Sequence, residues 1–261
     1  MQSTRQPAVA GMFYPAERRS LHDMVRSLLD AARPSQNTPK ALIAPHAGYV
    51  YSGPIAASAY ASLANVRDKI TRVVLLGPAH RVGFPGLAVS SATAFVTPLG
   101  EIPIDAEAQK TLLALPFVRE LDEAHAFEHS LEVQLPFLQE SLNAFSLVPV
   151  VVGSATPEEV REVLDLLWGG DETLIVVSSD LSHYHDYDTA RSMDAATSEA
   201  IEALCPQDID YESACGRLPV TGLLLAARER GLTARTVDLR NSGDTAGSKD
   251  QVVGYGAYIL Q

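Results

Sequence analysis

Four short runs of consecutive apolar residues constrain this chain more than anything else in it. They are Ala41-Leu-Ile-Ala44, Arg72-Val-Val-Leu-Leu76, Leu147-Val-Pro-Val-Val-Val152 and Leu174-Ile-Val-Val177. Each is four to six residues long, lacks polar alternation, and stops at a breaker: Pro45, Gly77-Pro78, Gly153 and Ser178-Ser179-Asp180. Such runs belong to strands buried on both faces, as in a parallel sheet. Helix-period segments lie between and beyond them. Leu21 to Ala32 carries apolar residues at Leu21, Met24, Val25, Leu28 and Leu29; Pro54 to Leu63, Glu158 to Leu167, Thr189 to Leu204 and Thr221 to Ala227 show the same period. Pro54 suits a first helical position and Gly231 a helix C-terminal cap. The tail reads as two strands, Thr233 to Leu239 and Gln251 to Leu260, around polar turn residues. Gly86 to Pro103 reads as an inserted hairpin. The pattern predicts an α/β chain, a three-layer sandwich around a mixed, mostly parallel central sheet, forming one domain over residues 1–261.

The balance of 20 basic against 32 acidic residues, a formal charge of −12 in 261 residues, argues against non-specific nucleic-acid binding and against docking on anionic membranes. No apolar run approaches a membrane span, and Met1 to Ala16 lacks the pattern of a signal peptide, so the expected location is the cytoplasm. Cys205 and Cys215 are too few for a disulfide framework and too far apart for a zinc knuckle. They fall in a stretch that reads as helical, and the expectation for both is a structural, reduced thiol.

The chemistry collects just past the strands. His46 follows the first run and His80 the second; Asp180 and His183 follow the fourth, and Asp244 follows the strand ending near Leu239. In open α/β sheets ligands bind at the carboxyl ends of strands. Any one of these residues alone could be a core histidine or a turn carboxylate, but a structural role gives them no reason to share one edge. His125, Glu128, His129 and Glu132 stand at i, i+3, i+4 and i+7, one face of a predicted helix, where a solvated charged stripe is the plain alternative. Three chemistries fit the edge cluster. A 2-His-1-carboxylate site would suit Fe(II). A zinc site would activate water. Metal-free acid–base work would have Asp180 orient His183. Neither a G-x-S-x-G elbow nor a phosphate-cradling glycine motif is present.

Six ordered motifs then carry a resemblance. They are Arg5-Gln-Pro-Ala-Val-Ala-Gly-Met-Phe-Tyr-Pro15, Pro45-His-Ala-Gly-Tyr-Val-Tyr-Ser-Gly53, Leu76-Gly-Pro-Ala-His80, Glu128-His-Ser-Leu-Glu-Val-Gln-Leu-Pro-Phe-Leu138, Ser178-Ser-Asp-Leu-Ser-His183 and Asn241-Ser-Gly-Asp244. Over nearly its whole length the chain resembles the Memo family, protein B of the AMMECR1–Memo–radical-SAM gene neighbourhood, whose fold is similar to that of class III extradiol dioxygenases. The resemblance implies a divalent metal, Fe(II) first with zinc or copper as the other candidates, on His46, His80 and Asp244. It implies His183 as acid–base residue with Asp180 beside it, and His129 and Glu132 lining the same cavity. Phe13 and Tyr51 would stand at the mouth against a small-molecule or peptide ligand. It also implies AMMECR1-like and radical-SAM pathway partners. Two function classes follow: a non-haem oxygenase or oxidase, or a binding or signalling module that keeps the cleft without turnover.

Overall fold

In the computed structural model, which describes residues 3–33 and 38–261, all four apolar runs are buried strands. Residues 1–2 and 34–37 of the expected 1–261 domain lie outside the described residues. The strands are β1 (Thr4–Arg5), β2 (Ala41–Ala44), β3 (Arg72–Pro78), β4 (Leu87–Val89), β5 (Ala94–Thr97), β6 (Gly100–Pro103), β7 (Val118–Glu120), β8 (Ser146–Val152), β9 (Thr173–Ser178), β10 (His183–His185), β11 (Ala234–Asn241) and β12 (Val252–Leu260). The helices are α1 (Arg18–Ala31), α2 (Tyr49–Tyr60), α3 (Ala106–Leu112), α4 (Asp122–Ala126), α5 (Leu135–Ser141), α6 (Pro157–Leu167), α7 (Tyr187–Glu202) and α8 (Arg217–Glu229).

Nine strands form the main sheet in the order β10-β12-β2-β9-β3-β8-β4-β7, with β11 also paired to β12. Besides the parallel β4–β7 edge pair, the sheet is parallel in its centre. There β2, β9, β3 and β8 run together, while β12 joins β2 and β4 joins β8 antiparallel. The expected hairpin is narrower than Gly86 to Pro103. Leu87–Val89 enters the main sheet, and only β5 and β6 form the hairpin, in a second sheet with β1.

Alternation along each strand splits the core in two. Leu42, Val73, Leu75, Leu147 and Val176 pack with α1, α2 and α5 residues such as Leu21, Ile55 and Phe137. Ile43, Val74, Leu76, Val148 and Val177 pack on the other face with Val163 of α6 and Leu223 and Leu224 of α8. Helices on both faces of a sheet make three layers. Among the described residues, no helix is long and apolar enough to cross a membrane.

The helix at Pro54 begins earlier than its sequence indicates. It starts at Tyr49, so Pro54 is interior; Val50, whose carbonyl loses that hydrogen bond, is exposed to water. The start of α6 is locally specified: Thr156 Oγ1 accepts from Glu159 N–H (3.1 Å), Glu159 accepts from Thr156 N–H (2.8 Å), and Pro157 fills the first turn.

Helices α6 and α8 touch at Gly222. A methyl there would overlap the Val160 side chain and stand 3.0 Å from the Pro157 carbonyl oxygen. Gly222→Ala should therefore destabilise the protein by about 1–3 kcal/mol through overpacking, although alanine gains about 1 kcal/mol in helix propensity. Urea unfolding measures this, and a stabilised variant would contradict the close packing.

Candidate metal centre

The parallel strands deliver their C-terminal loops to one edge, and there His46, His80 and His129 face one another. Their ring centroids are 5.1 Å (His46–His80), 5.4 Å (His46–His129) and 4.6 Å (His80–His129) apart. His46 and His80 follow β2 and β3 directly, as their positions after the apolar runs indicate. They form the floor of a cleft of about 1050 Å³ whose walls include Asp180, His183 and Tyr184.

Two groups of potential donors meet here, His46 with His80 and Cys215, and His80 with Glu128 and His129. Cys215 Sγ lies 3.3 Å from His46 Nε2, and one donor atom each from His46, His80 and Cys215 fall within 4.8 Å of one another. Cys215 is not helical, as had been expected, but sits in the turn before α8. That turn is pinned to the end of β9: Gly216 N–H donates to Ser179 Oγ (3.0 Å), and a Cβ on Gly216 would stand 2.6 Å from Ser179 Cβ. Only glycine permits this approach, and the approach brings the thiol to His46.

Asp244 does not join them. It lies in the Ser242–Asp244 turn, where its carboxylate accepts from Asn241 N–H (3.0 Å) and Tyr187 Oη–H (2.5 Å). It is a turn cap, absent from both the donor set and the cleft wall. The expectation that it supplies the third ligand is corrected to Cys215.

Hydrogen bonds fix which nitrogen of each imidazole is free. Ser178 Oγ–H donates to Ser130 C=O (2.6 Å), so the same oxygen accepts from His46 Nδ1–H (2.9 Å), leaving the Nε2 lone pair toward Cys215. Glu128 accepts from His80 Nδ1–H (2.9 Å), which frees His80 Nε2. Its carboxylate also accepts the backbone N–H groups of His80 (2.6 Å), His129 and Ser130 (2.9 Å each). These bonds hold it ionised, down to about 2, against the opposing push of burial. Such outer partners set tautomer and orientation for metal-ligating histidines. Burial, with the neighbouring imidazoles, drives His46 well below the ordinary histidine range, and burial takes His129 to about 4. Both rings are therefore neutral, the form that ligates. Burial pushes the Cys215 thiol up to about 12, so it holds its proton until a cation displaces it.

The other predicted residues divide. Asp180 is buried and raised to about 6 by desolvation. Its carboxylate accepts from His46 N–H (2.7 Å), whereas His183 Nδ1–H donates to Leu181 C=O (2.8 Å). Asp180 thus positions His46 rather than orienting His183. The predicted helix through His125, Glu128, His129 and Glu132 is broken. Helix α4 stops at Ala126, Glu128 ties the next turn through backbone N–H groups, and Pro136 opens α5. Glu132 is sealed off from the cleft, where it had been placed. It pairs with Arg5 and accepts from Ala8 N–H (2.8 Å), Val9 N–H (3.0 Å) and Tyr14 Oη–H (2.5 Å), anchoring the N-terminal segment. Phe13 follows from this anchor: its ring packs against His129 at 4.9 Å, tilted by 49°. Phe13 and Tyr51, expected at the mouth, are not among the cleft-lining residues; Tyr51 is part-exposed on α2. Sequence reasoning missed Cys215, Ser178 and Glu128 as members of the centre. Glu128 had a signal, its adjacency to His129; Cys215 had none at the level of spacing.

A family model described as Memo-like protein matches residues 5–259. The chain belongs to this family. It is 37% identical over 263 residues to a MEMO1 family protein of Aquifex aeolicus, covering 96% of this chain and 97% of that one. It is 38% identical to one from Aeropyrum pernix (97% and 98%) and 35% identical to one from Methanosarcina mazei (98% and 99%). Among solved structures it is similar to the uncharacterized protein JW3007 of Escherichia coli K12. That match has a TM-score of 0.55 and 17% identity over 85% of this chain and 100% of that one, a likeness of fold alone.

His125, outside the donor set, gives a pH signature. Its Nε2–H donates to Ala88 C=O (3.1 Å) and its Nδ1 has no partner, so burial lowers it from 6.5 to about 4. A histidine depressed in the fold takes up protons preferentially on unfolding. Its stabilisation is full above about pH 6.5 and is lost as pH falls from there toward 4. Denaturant midpoints should drop between pH 7.5 and 5, and the drop should shrink in His125→Gln; equal drops in both proteins would contradict this.

Proposed function

We propose that this Memo-like protein is a metal-dependent, dioxygenase-like oxidoreductase whose Fe(II) is held by His46 Nε2, His80 Nε2 and Cys215 Sγ. The observation that carries the reading is the convergence of those three donors on the floor of an open cleft. The donor chemistry fits the group: two neutral imidazoles with oriented lone pairs, and a buried thiol 3.3 Å from one of them. Three protein donors on one side leave room on the other for exchangeable ligands. When bound, the ion supplies one-electron redox chemistry and Lewis acidity.

The chain's own residues do the rest. Asp180 and Ser178 hold His46 by backbone and ring, and Glu128 holds His80 in the same way. His183 spends Nδ1–H on Leu181, so its Nε2 is the atom that takes a proton from a bound hydroxyl and returns it. Cys215 would give up its proton to ligate, so metal affinity should rise with pH.

A second reading, ligand capture without turnover around zinc or copper, is favoured by one specific feature: a thiolate is a softer donor than a carboxylate. Metal analysis of the purified protein separates the two, followed by oxygen uptake with a panel of catechols. Stoichiometric iron with uptake supports the oxidoreductase; zinc or copper without uptake supports the module. In either case His46→Ala, His80→Ala and Cys215→Ser should each weaken metal binding at least about tenfold, whereas Asp244→Asn should retain it. Retention by Cys215→Ser with loss in Asp244→Asn would reverse the ligand assignment.

A further inference from the structure

The cleft wall carries one arginine, Arg217, that forms no ion pair with the described residues, although its charge reaches Asp210 through space. Arg217 is the first residue of α8, two positions beyond Cys215, and is half-buried against the cleft. Among the described residues its guanidinium has no ion-pair partner within 4.0 Å and no side-chain hydrogen bond; it lies only over the Tyr211 ring, 5.8 Å from the centroid. The carboxylates around it are engaged or turned to water. Glu159 is held in the α6 cap, Asp210 accepts from the N–H groups of Glu212 and Ser213 and from Ser213 Oγ–H, and Glu212 is exposed. A guanidinium that lines an open cleft without a protein hydrogen-bond partner is free to donate charge-assisted hydrogen bonds to an anion. In a chain of charge −12, that anion needs a local cation to be held at all.

A second feature faces the same space. Tyr184 lies where the β10–β12 register shifts between His183 and His185. It holds a left-handed φ of 61° and is 70% exposed on the cleft wall. A bulge in a strand re-aims a side chain, and a bulky residue at positive φ is strained. The strain here presents an aromatic face beside His183, whose ring centroid is 5.7 Å away.

We infer that the ligand of this cleft is a small planar carboxylate, its carboxylate bound by Arg217 and its planar body set against Tyr184. The inference rests on the cleft being the ligand site of the proposed function and adds the chemical class that it takes. Arginine's planar fork matches a carboxylate bidentately, which lysine cannot reproduce.

Calorimetric titration of the metal-loaded full chain with benzoate, benzamide and inorganic phosphate tests it. Benzoate should bind and its neutral isostere benzamide should bind far more weakly. Arg217→Gln should lose at least about tenfold in benzoate affinity, Arg217→Lys should recover only part of it, and Tyr184→Ala should weaken it. Metal content is read in parallel, and Arg217→Gln should still hold the ion. Loss of benzoate binding with metal retained therefore supports this inference independently of the metal assignment. Several results would overturn it: no benzoate binding to the wild type, undiminished binding in Arg217→Gln, or phosphate bound as tightly as benzoate. Benzoate binding that survives Arg217→Gln but disappears with the ion in His46→Ala would put the anion on the metal, and would leave the proposed function standing.

Discussion

One buried hydroxyl joins the parts of this molecule that matter. Ser178, the last residue of β9, donates to Ser130 C=O and accepts from both His46 Nδ1–H and Gln134 Nε2–H (2.8 Å). It ties the loop after β2, the turn after Glu128 and the start of α5 to the end of a central strand. Gln134 extends the junction, donating to Pro45 C=O (2.9 Å) and accepting from Oη–H of Tyr60, the last residue of α2 (2.8 Å). Every residue of this network is buried. A buried polar network holds position only when its members are satisfied, so the orientation of His46 is set by the core rather than by the cleft.

A similar division runs through the rest of the site. Glu128 and Asp180 are carboxylates that bind backbone N–H groups and position imidazoles, and neither needs to touch a ligand. Glu132 is more remote still, since it fastens the N-terminal segment that lays Phe13 on His129. The acidic residues nearest the histidines therefore act as supports. In the proposed function the donors are two imidazoles and a thiol, and proton transfer is assigned to His183, whose Nδ1 is committed to Leu181 C=O.

The sheet and its active edge were legible because burial on both faces leaves a direct mark, a run of apolar residues ended by a breaker with the functional residue next. His46, His80, Asp180 and His183, read this way, all line the same cleft. Convergence was not legible. Cys215 meets His46 across 169 residues through a glycine turn pressed on Ser179, and no spacing rule encodes such a contact. Asp244 was plausible on the same edge rule, but an aspartate in Asn-Ser-Gly-Asp can equally cap its own turn, and that local use won. The His125–Glu132 stripe failed for a similar reason: a helical period describes a helix only where backbone N–H groups have no better acceptor, and here Glu128 offered one. The four apolar runs pair parallel as read, whereas β12, equally buried, joins β2 antiparallel, because burial marks a strand's place in the sheet and not its direction.

The central claim is that residues distant in the chain share one cation, with Cys215 as its sulfur donor. X-ray absorption at the metal edge of the loaded protein tests this most directly. The account predicts one sulfur neighbour at about 2.3 Å alongside nitrogen donors, with the sulfur contribution gone in Cys215→Ser and intact in Asp244→Asn. A shell of nitrogen and oxygen donors alone, unchanged by Cys215→Ser, would contradict it.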